Sequence, residues 1–274
     1  MKQFLLEVEE LAIALTRSNE QKVCDLNFSL DAGKSLIFLG ESGCGKSLTC
    51  KAITGGLEKK EFRVSGSIRF GGENLLALSE KRLCGIYGNE IALIMQNPMT
   101  AFNPSARIGS QMMRSIRLHT GEHRKTAFAR CETSLREAGL DDPVRVMRAY
   151  PFMLSGGMLQ RAMIALALAL RARLIVADEP TTALDVAHQR EAIDALRRLR
   201  DNGAAVLLVT HDFAVAKRLG GEMMVMKDGR LVERGTVEKV LWDPKAAYTR
   251  ALVAASRLHS AQDGGWEDAR SGSC

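Results

Sequence analysis

The 274-residue sequence predicts an α/β fold with a mostly parallel sheet. Two observations support this prediction. Short, continuous apolar runs recur along the chain, and helical patterns lie between them. Runs of this kind are typical of strands that are covered on both faces, as in a parallel sheet. Apolar residues make up 46% of the chain, which is enough to build the core of one large domain or of one core with an inserted subdomain.

The core strands and the clearest helix follow from these patterns. Four apolar runs are predicted to be core strands: residues 35–39, 91–95, 174–177 and 204–209. Residues 186–201 predict a helix, because Ile193, Leu196 and Leu199 fall near one face of it. Gly203 supplies a stop signal. Alternation of strands with helices indicates an α/β fold.

Other β-rich and helical segments complete the prediction. Residues 65–70 predict an exposed strand, and residues 223–226 and 231–233 predict a hairpin on an Asp228–Gly229 turn. These pieces do not show the continuous apolar pattern of the core strands. We therefore expect a separate β-rich part beside the parallel sheet.

Strand signals disappear between residues 107 and 154. Residues 108–118 and 125–138 predict helices there, so we expect a helical subdomain, at about residues 97–165, inserted between two core strands. Residues 1–259 are expected to form one domain. The polar, Gly/Ser-rich residues 260–274 are expected to form a flexible tail.

The composition excludes several classes of protein. The longest strongly apolar run, residues 162–170, is far shorter than the roughly 20 residues that a spanning helix needs. Acidic residues interrupt the N-terminal segment from Glu7 onward, so we expect no signal peptide and a cytoplasmic location. The six scattered cysteines form no Cys-x-x-Cys pair, which argues against a metal or iron–sulfur centre.

The net charge is +6, and the densest basic group is Arg197, Arg198 and Arg200. A solvated helix face is the simplest explanation of this group. Attraction to anionic lipid headgroups is a second explanation, and contact with nucleic-acid phosphates is a third. Because no aromatic residues lie between these arginines, single-strand stacking is disfavoured and no nucleic-acid partner is expected.

A glycine-rich segment follows the strand that ends at residue 39 and opens a helical pattern. It consists of Gly40, Glu41, Ser42, Gly43, Cys44, Gly45, Lys46 and Ser47. This order matches the phosphate-binding loop Gly-x-x-x-x-Gly-Lys-Ser in its strand–loop–helix context. Lys46 supplies a charge for the outer phosphates of ATP, while the Ser47 hydroxyl can ligate Mg²⁺. An ordinary glycine-rich turn is the alternative, but these flanking elements favour nucleotide binding.

Polar residues also end three other predicted strands. Asp178 and Glu179 follow one of them, with Asp178 suited to Mg²⁺ and Glu179 to the role of general base. His211 could reach the γ-phosphate, and Gln96 could sense Mg²⁺ or the attacking water. A solvated acidic turn and a helix-capping His/Asp pair are the alternatives. Ligands gather at the carboxyl ends of α/β strands, so we expect these residues to meet in one site.

A second glycine-rich helix start contains Ser155, Gly156 and Gly157. Exposed N–H groups at a helix start favour an anion, as they do in the phosphate loop. One ATP does not need two separate cradles from one chain. A head-to-tail pair of chains, in which each offers this segment to the other's nucleotide, is a natural solution.

These motifs, in this order, resemble those of ATP-binding cassette (ABC) subunits over roughly residues 6–235. Residues 155–157 resemble the signature motif, Gln96 the Q-loop, and His211 the switch histidine. Residues 183–185, including Asp185, resemble the D-loop. The resemblance implies a P-loop NTPase core with an antiparallel β subdomain and an inserted helical subdomain.

The same resemblance implies a mechanism. ATP would close a two-site dimer, and hydrolysis would let it reopen. Helices of a membrane partner would dock near the Q-loop and follow this motion. The protein would then lie at the cytoplasmic face of the inner membrane.

Three further segments resemble the oligopeptide/nickel importer branch: residues 94–104, 150–158 and 241–252. Within the first segment, Gln-Asn-Pro followed by Ala-Phe-Asn-Pro most resembles nickel-import ATP-binding proteins. This branch implies two permease subunits, a second, related ATPase subunit and, indirectly, a substrate-binding protein. Importer-branch features would extend over about residues 236–259. The cargo stays open between nickel, a metal chelate and a short peptide.

The sequence departs from the family in two places. Residues 16–25 lack the aromatic side chain that often stacks on adenine. Cys274 is the only cysteine in the C-terminal tail, so we predict no iron–sulfur centre there. Two other classes of function are the alternatives. A soluble ABC ATPase acting on DNA or ribosomes would carry coiled-coil insertions or two cassettes, and a small-molecule kinase would have no use for residues 155–157.

Overall fold

Two sheets and a set of helices make up the structure, a computed structural model that describes residues 4–182 and 184–262. The strands are β1 (Leu6–Leu15), β2 (Gln21–Leu30), β3 (Ser35–Leu39), β4 (Phe62–Phe70), β5 (Glu73–Asn74), β6 (Ile91–Ile94), β7 (Leu174–Asp178), β8 (Ala205–Val209), β9 (Glu222–Lys227) and β10 (Arg230–Thr236). The predicted core strands therefore form, within one or two residues of their predicted ends.

The larger sheet has the order β10-β9-β3-β8-β7-β6. Strands β3, β6, β7, β8 and β9 run parallel, and β10 pairs antiparallel with β9 through the predicted Asp228–Gly229 hairpin. All five residues of β3 are buried, as the continuous apolar pattern predicted. Because the parallel strands share one direction, the loops after β3, β6, β7 and β8 emerge at the same edge of the sheet.

A smaller antiparallel sheet has the order β2-β1-β4-β5. The prediction of an exposed strand at residues 65–70 was partly wrong. Strand β4 is longer, and its Ile68 and Phe70 are buried against the core. Strand β1 was not predicted from the sequence, because the alternation of apolar and polar residues along it breaks at Glu9 and Glu10. Register shifts interrupt its pairing, and Glu10 lies in the left-handed region at φ 49°.

The helices are α1 (Lys46–Ile53), α2 (Glu80–Ile86), α3 (Ile108–Thr120), α4 (Arg124–Glu137), α5 (Pro143–Arg148), α6 (Gly156–Leu170), α7 (Val186–Asp201), α8 (Phe213–Leu219), α9 (Val237–Trp242) and α10 (Ala247–Gln262). Helix α7 has the predicted bounds. Helices α3 to α6 lie between β6 and β7. Helix α10 continues three residues into the predicted tail, and residues 263–274, with Cys274, lie outside the described part.

The core packs on both faces of the larger sheet. Ile37 and Leu39 face one apolar cluster, which includes the helices between β6 and β7. Leu36 and Phe38 face the other, shared with the antiparallel sheet. Phe38 packs edge-to-face on Phe28, with ring centroids 5.2 Å apart. In residues 4–182 and 184–262, no helix is both long enough and apolar enough to cross a bilayer.

Replacing Phe38 should destabilise the fold strongly. Phe38 is fully buried, and truncation of such a side chain costs the transfer free energy plus a cavity. We expect Phe38→Ala to lower the free energy of unfolding by about 3–5 kcal/mol in chemical denaturation. Leu118→Ala is the matched control, because Leu118 is 77% exposed. A Phe38→Ala loss as small as that of the control would contradict the packing described here.

Candidate functional site

The glycine-rich loop after β3 is shaped by close backbone contacts. A Cβ atom at Gly40 would lie 2.2 Å from the carbonyl oxygen of Met226, and its φ is 153°. A Cβ atom at Gly45 would lie 2.9 Å from the carbonyl oxygen of Lys22, at φ 102°. Both positions therefore require glycine. The β9–β10 hairpin and strand β2 form the wall behind the loop.

Lys46 lies within this loop. Its side chain is buried, and Nζ donates hydrogen bonds of 2.7 Å to the carbonyl oxygens of Gly40 and Glu41. A longer contact of 3.5 Å joins Nζ to Sγ of Cys44. Among the described residues, Lys46 forms no salt bridge, and its two carbonyl acceptors are neutral, although its charge also acts on the Asp178 carboxylate. A cation held within a glycine-rich loop suits a phosphate.

The outer part of the loop is open. Glu41, Ser42 and Gly43 are exposed, and a Cβ atom at Gly43 would meet nothing within 4 Å. Tyr248, at the start of α10, contacts this part, because the Glu41 amide donates a 3.4 Å hydrogen bond to its hydroxyl. The Lys227 ammonium lies 4.9 Å from the centroid of the same ring. From the sequence, Tyr248 was noted only as part of a segment that resembles the importer branch, and nothing in that segment predicted its contact with Glu41.

Ser47 and Asp178 meet across the carboxyl edge of the sheet. The Ser47 hydroxyl donates a 2.8 Å hydrogen bond to Oδ1 of Asp178. Burial raises the pKa of Asp178 above its ordinary value, a shift opposed by the Ser47 hydrogen bond and reinforced by the charge of Glu179. A hydroxyl and a carboxylate side by side form the oxygen donor set that Mg²⁺ prefers beside a phosphate.

The raised pKa of Asp178 predicts that removing its charge stabilises the free protein. Folding favours the protonated form, so the stability contributed by this group falls as pH rises through the folded-state pKa. We expect Asp178→Asn to raise the midpoint of thermal unfolding at pH 7 without nucleotide. The gain should shrink as pH falls and Asp178 becomes protonated. Scans of both proteins across pH measure this difference. A lower midpoint for the variant at pH 7 would refute it.

Glu179 is the centre of the other half of the site. Its carboxylate accepts hydrogen bonds from Oγ1 of Thr182 at 2.9 Å and from Nε2 of Gln96 at 3.4 Å. The second carboxylate oxygen lies 3.2 Å from Nδ1 of His211. The predicted Gln96, Glu179 and His211 are therefore neighbours. In the described chain no hydrogen bond joins Gln96 to Ser47 or Asp178.

The backbone of Glu179 is held in an uncommon conformation. Its φ is 47°, in the left-handed region that costs a non-glycine residue free energy. Its amide donates a 2.9 Å hydrogen bond to the carbonyl of Val209, at the end of the adjacent strand β8. This bond fixes the carboxylate beside the β8 loop that carries His211. Strain of this kind, held by surrounding structure, is typical of functional sites.

Thr182 was missed by the sequence argument. It follows Glu179 by three residues in a Pro-Thr-Thr run, and no pattern distinguishes it from an ordinary turn residue. Its hydroxyl occupies one lone pair of the Glu179 carboxylate. The carboxylate thus has three side-chain neighbours that can orient it.

The signature and D-loop residues lie at two helix starts. Ser155 caps α6, where its hydroxyl accepts a 3.2 Å hydrogen bond from the Met158 amide. Ser155 and Gly156 lie open at this helix start, and Gly157 is buried. Asp185 caps α7, and Ala183 lies outside the described residues. Across the described residues, no hydrogen bond joins residues 155–157 to the phosphate loop of the same chain.

Comparison with known proteins identifies the family. The family model described as ABC transporter matches residues 23–182. The metal-staphylopine import system ATP-binding protein of Staphylococcus aureus is 41% identical over 254 residues, which is 92% of this chain and 93% of that protein. The oligopeptide transport ATP-binding protein of Haemophilus influenzae is 42% identical, covering 85% of this chain and 72% of its own length.

Solved structures show the same fold. A dimeric ATP-binding cassette in a post-hydrolysis state, bound to ADP and Pi, aligns with a TM-score of 0.74 at 23% identity. The alignment covers 85% of this chain and 98% of that one. Its fold corresponds to the α/β architecture described above. The chain therefore belongs to the ABC transporter family and folds as one of its ATP-binding cassettes.

Proposed function

We propose that this chain hydrolyses ATP to power uptake through a membrane transporter. The observation that carries the proposal is the Glu179 carboxylate, held between Gln96, Thr182 and His211 beside the Ser47–Asp178 pair. This arrangement supplies a base for water next to oxygen donors for Mg²⁺. Purified protein should release phosphate from ATP only when Mg²⁺ is present.

Each residue of the site has a proposed role. Lys46 and amides of the phosphate loop would bind the phosphates, and Ser47 and Asp178 would hold Mg²⁺, which would neutralise phosphate charge. Glu179 accepts a proton from the attacking water. An ionised carboxylate is only an acceptor, so the His211 nitrogen facing it carries the proton. Gln96, which donates a hydrogen bond to the Glu179 carboxylate, would orient the attacking water or sense Mg²⁺.

We propose that two such subunits enclose each ATP. Ser155, Gly156 and Gly157 would face the partner's nucleotide, and Asp185 would lie at the same interface. The exposed start of α6 and its lack of hydrogen bonds to the phosphate loop, among the described residues, support this arrangement. So does the dimeric state of the cassette bound to ADP and Pi. The second subunit is proposed to be a related ATPase rather than an identical copy.

Two permease subunits are the proposed membrane partners, served by a substrate-binding protein. Exposed apolar residues in the turn after the Q-loop residue Gln96 and in the turn before α6 support a docking surface for a permease. Met99 is 43% exposed, in a turn that packs near α6, and Phe152 and Met153 are 66% and 63% exposed just before α6. Burial of such residues is the usual source of binding energy between proteins. The proposed location is the cytoplasmic face of the cell membrane.

A charge at Phe152 should disrupt permease docking. We expect Phe152→Asp to lower permease recovery by at least about tenfold when the tagged chain is purified from membranes. The aromatic side chain would be buried against the permease in the assembly, and aspartate would lose that contact. Leu231→Asp is the control, since Leu231 is an exposed apolar residue on β10, at the opposite edge of the sheet. Equal permease recovery with both variants would contradict the assigned surface. ATP hydrolysis by the isolated variant should stay unchanged.

A metal chelate is the proposed cargo, with nickel as one candidate metal. The metal-staphylopine relative is matched over 93% of its length, against 72% for the oligopeptide relative. A dipeptide or oligopeptide is the second candidate, supported by a similar identity of 42%. Uptake of labelled nickel, metal chelates and peptides should be measured in a strain lacking the gene, complemented with wild type or Glu179→Gln. Loss of peptide uptake alone would favour the second candidate.

The proposed organisation is a single cassette domain over residues 1–259. In it, a helical subdomain is inserted at about residues 97–165, and importer-branch features lie at about residues 236–259. The helices α3 to α6 and the docking of α10 near the phosphate loop support this division.

A further inference from the structure

His188, in the first turn of α7, contacts the D-loop aspartate through two different groups. Its backbone amide donates a 2.9 Å hydrogen bond to Oδ1 of Asp185. Its ring nitrogen Nδ1 lies 2.8 Å from Oδ1 and 2.7 Å from Oδ2 of the same carboxylate. An ionised carboxylate only accepts, so Nδ1 carries the proton. The backbone and ring hydrogen bonds both hold the pKa of Asp185 below its ordinary value.

The other side of the His188 side chain packs against the signature motif. A Cβ atom at Gly157 would lie 3.0 Å from Cγ of His188 and 3.1 Å from its Cβ and Cδ2. Gly157 is buried, so the ring fills the space that a side chain there would occupy. One side chain therefore joins Asp185 by hydrogen bonds and Gly157 by direct packing. A displacement of either segment would therefore disturb a contact to the same imidazole.

A separate contact holds the two helices together. Nη1 of Arg161 on α6 lies 2.8 Å from Oε2 of Glu191 on α7, and also donates to the carbonyl oxygen of Gly139. Nε of the same arginine donates to the carbonyl oxygen of Gly157 at 3.4 Å. Since these bonds do not involve His188, substitutions of His188 should leave α6 and α7 packed. The role of His188 can therefore be tested without unfolding the chain.

We propose that His188 is a positioning residue that fixes the signature motif and the D-loop relative to each other within one subunit. It does so through two separable contacts: the hydrogen bond from its Nδ1 to the Asp185 carboxylate, and the packing of its ring against Gly157. The consequence for catalysis rests on the proposed two-subunit site. If both segments face the partner, a loosened link lowers the turnover rate while the subunit's own phosphate loop still binds ATP.

Two substitutions separate the two parts. His188→Asn places an amide donor near the position of Nδ1 but supplies no ring, whereas His188→Phe supplies a ring but no donor. A third variant, His188→Ala, removes both parts. His123→Asn is the control, because His123 lies at the start of α4 and makes no side-chain capping hydrogen bond.

Hydrogen–deuterium exchange on the full chain tests the link without any partner. His188→Ala should speed amide exchange at least about threefold in both residues 156–159 and residues 185–189. His188→Phe should speed it only in 185–189, and His188→Asn only in 156–159. Acceleration confined to 185–189 in all three variants would overturn the proposal, because it would reduce His188 to a local cap of α7. Unchanged exchange in His188→Ala would overturn it as well.

Kinetics on the assembly purified through a tag at the native locus test the consequence. His188→Ala should lower kcat at least about fivefold with KM for ATP changed less than twofold, and His123→Asn should alter neither value. A rise in KM alone would overturn the catalytic part. If wild-type protein hydrolyses no ATP, the proposed function itself fails. If wild type is active and His188→Ala is equally active, only this inference fails.

Discussion

Glu179→Gln should bind ATP normally and hydrolyse it about 10²–10⁴-fold more slowly than wild type, the range that a general base contributes. Glutamine keeps the shape of the side chain and can still receive the Thr182 hydrogen bond. It cannot take a proton from water. Steady-state phosphate release and equilibrium binding of a fluorescent ATP analogue, measured on the same samples, separate the two effects.

The control for this variant is Glu132→Gln, which neutralises a carboxylate on the surface of α4 that pairs with Arg136. It should hydrolyse ATP at the wild-type rate. Undiminished turnover in Glu179→Gln would remove Glu179 from the proposed role. His211→Ala adds a second test, because His211 contacts the same carboxylate. A fall in kcat without loss of ATP affinity is expected for it too.

Lys46→Met should remove most of the affinity for ATP. The variant keeps the aliphatic stem and loses the buried ammonium that lies within the glycine loop. Charged hydrogen bonds contribute about 1.5–3 kcal/mol each, so the loss of one phosphate contact corresponds to a roughly 10- to 150-fold larger dissociation constant for ATP. Isothermal titration with Mg²⁺ and ATP measures the change. Hydrolysis should fall below detection at ordinary ATP concentrations.

Lys51→Met is the matched control, since Lys51 is exposed further along the same helix α1. We expect its dissociation constant to stay within about threefold of wild type, as is usual for exposed charges. Comparable losses in both variants would mean that general positive charge, rather than the loop lysine, binds the nucleotide. Thermal unfolding of the free proteins should accompany the titration, because Lys46 also bonds two loop carbonyls.

Much of the fold could be predicted because the parallel strands carry a strong, local signal. Strand β3 is a continuous apolar run, and its neighbours end in polar residues that share one edge of the sheet. The same reasoning predicted that Gln96, Glu179 and His211 would approach one another. The bounds of β4 were harder to predict, because the burial of its alternate residues depends on which face of the antiparallel sheet is covered by the core.

Other features of the site depend on contacts that no local pattern encodes. The φ of Glu179 arises from the bond between its amide and Val209 on another strand. Tyr248 reaches Glu41 from 207 positions away in the sequence. The packing of His188 on Gly157 joins two helices whose sequences each look ordinary. Such contacts become visible only once the tertiary arrangement is known.

The wall behind the phosphate loop has a consequence for how the protein is made. The glycine loop leaves the ribosome early, but Met226, which packs against Gly40, and Tyr248, which contacts Glu41, are synthesised about two hundred residues later. A nascent chain therefore carries the loop long before it carries the surfaces that shape it. Nucleotide capture becomes a late event in biogenesis, and a transcript interrupted before codon 226 would yield a loop without its support.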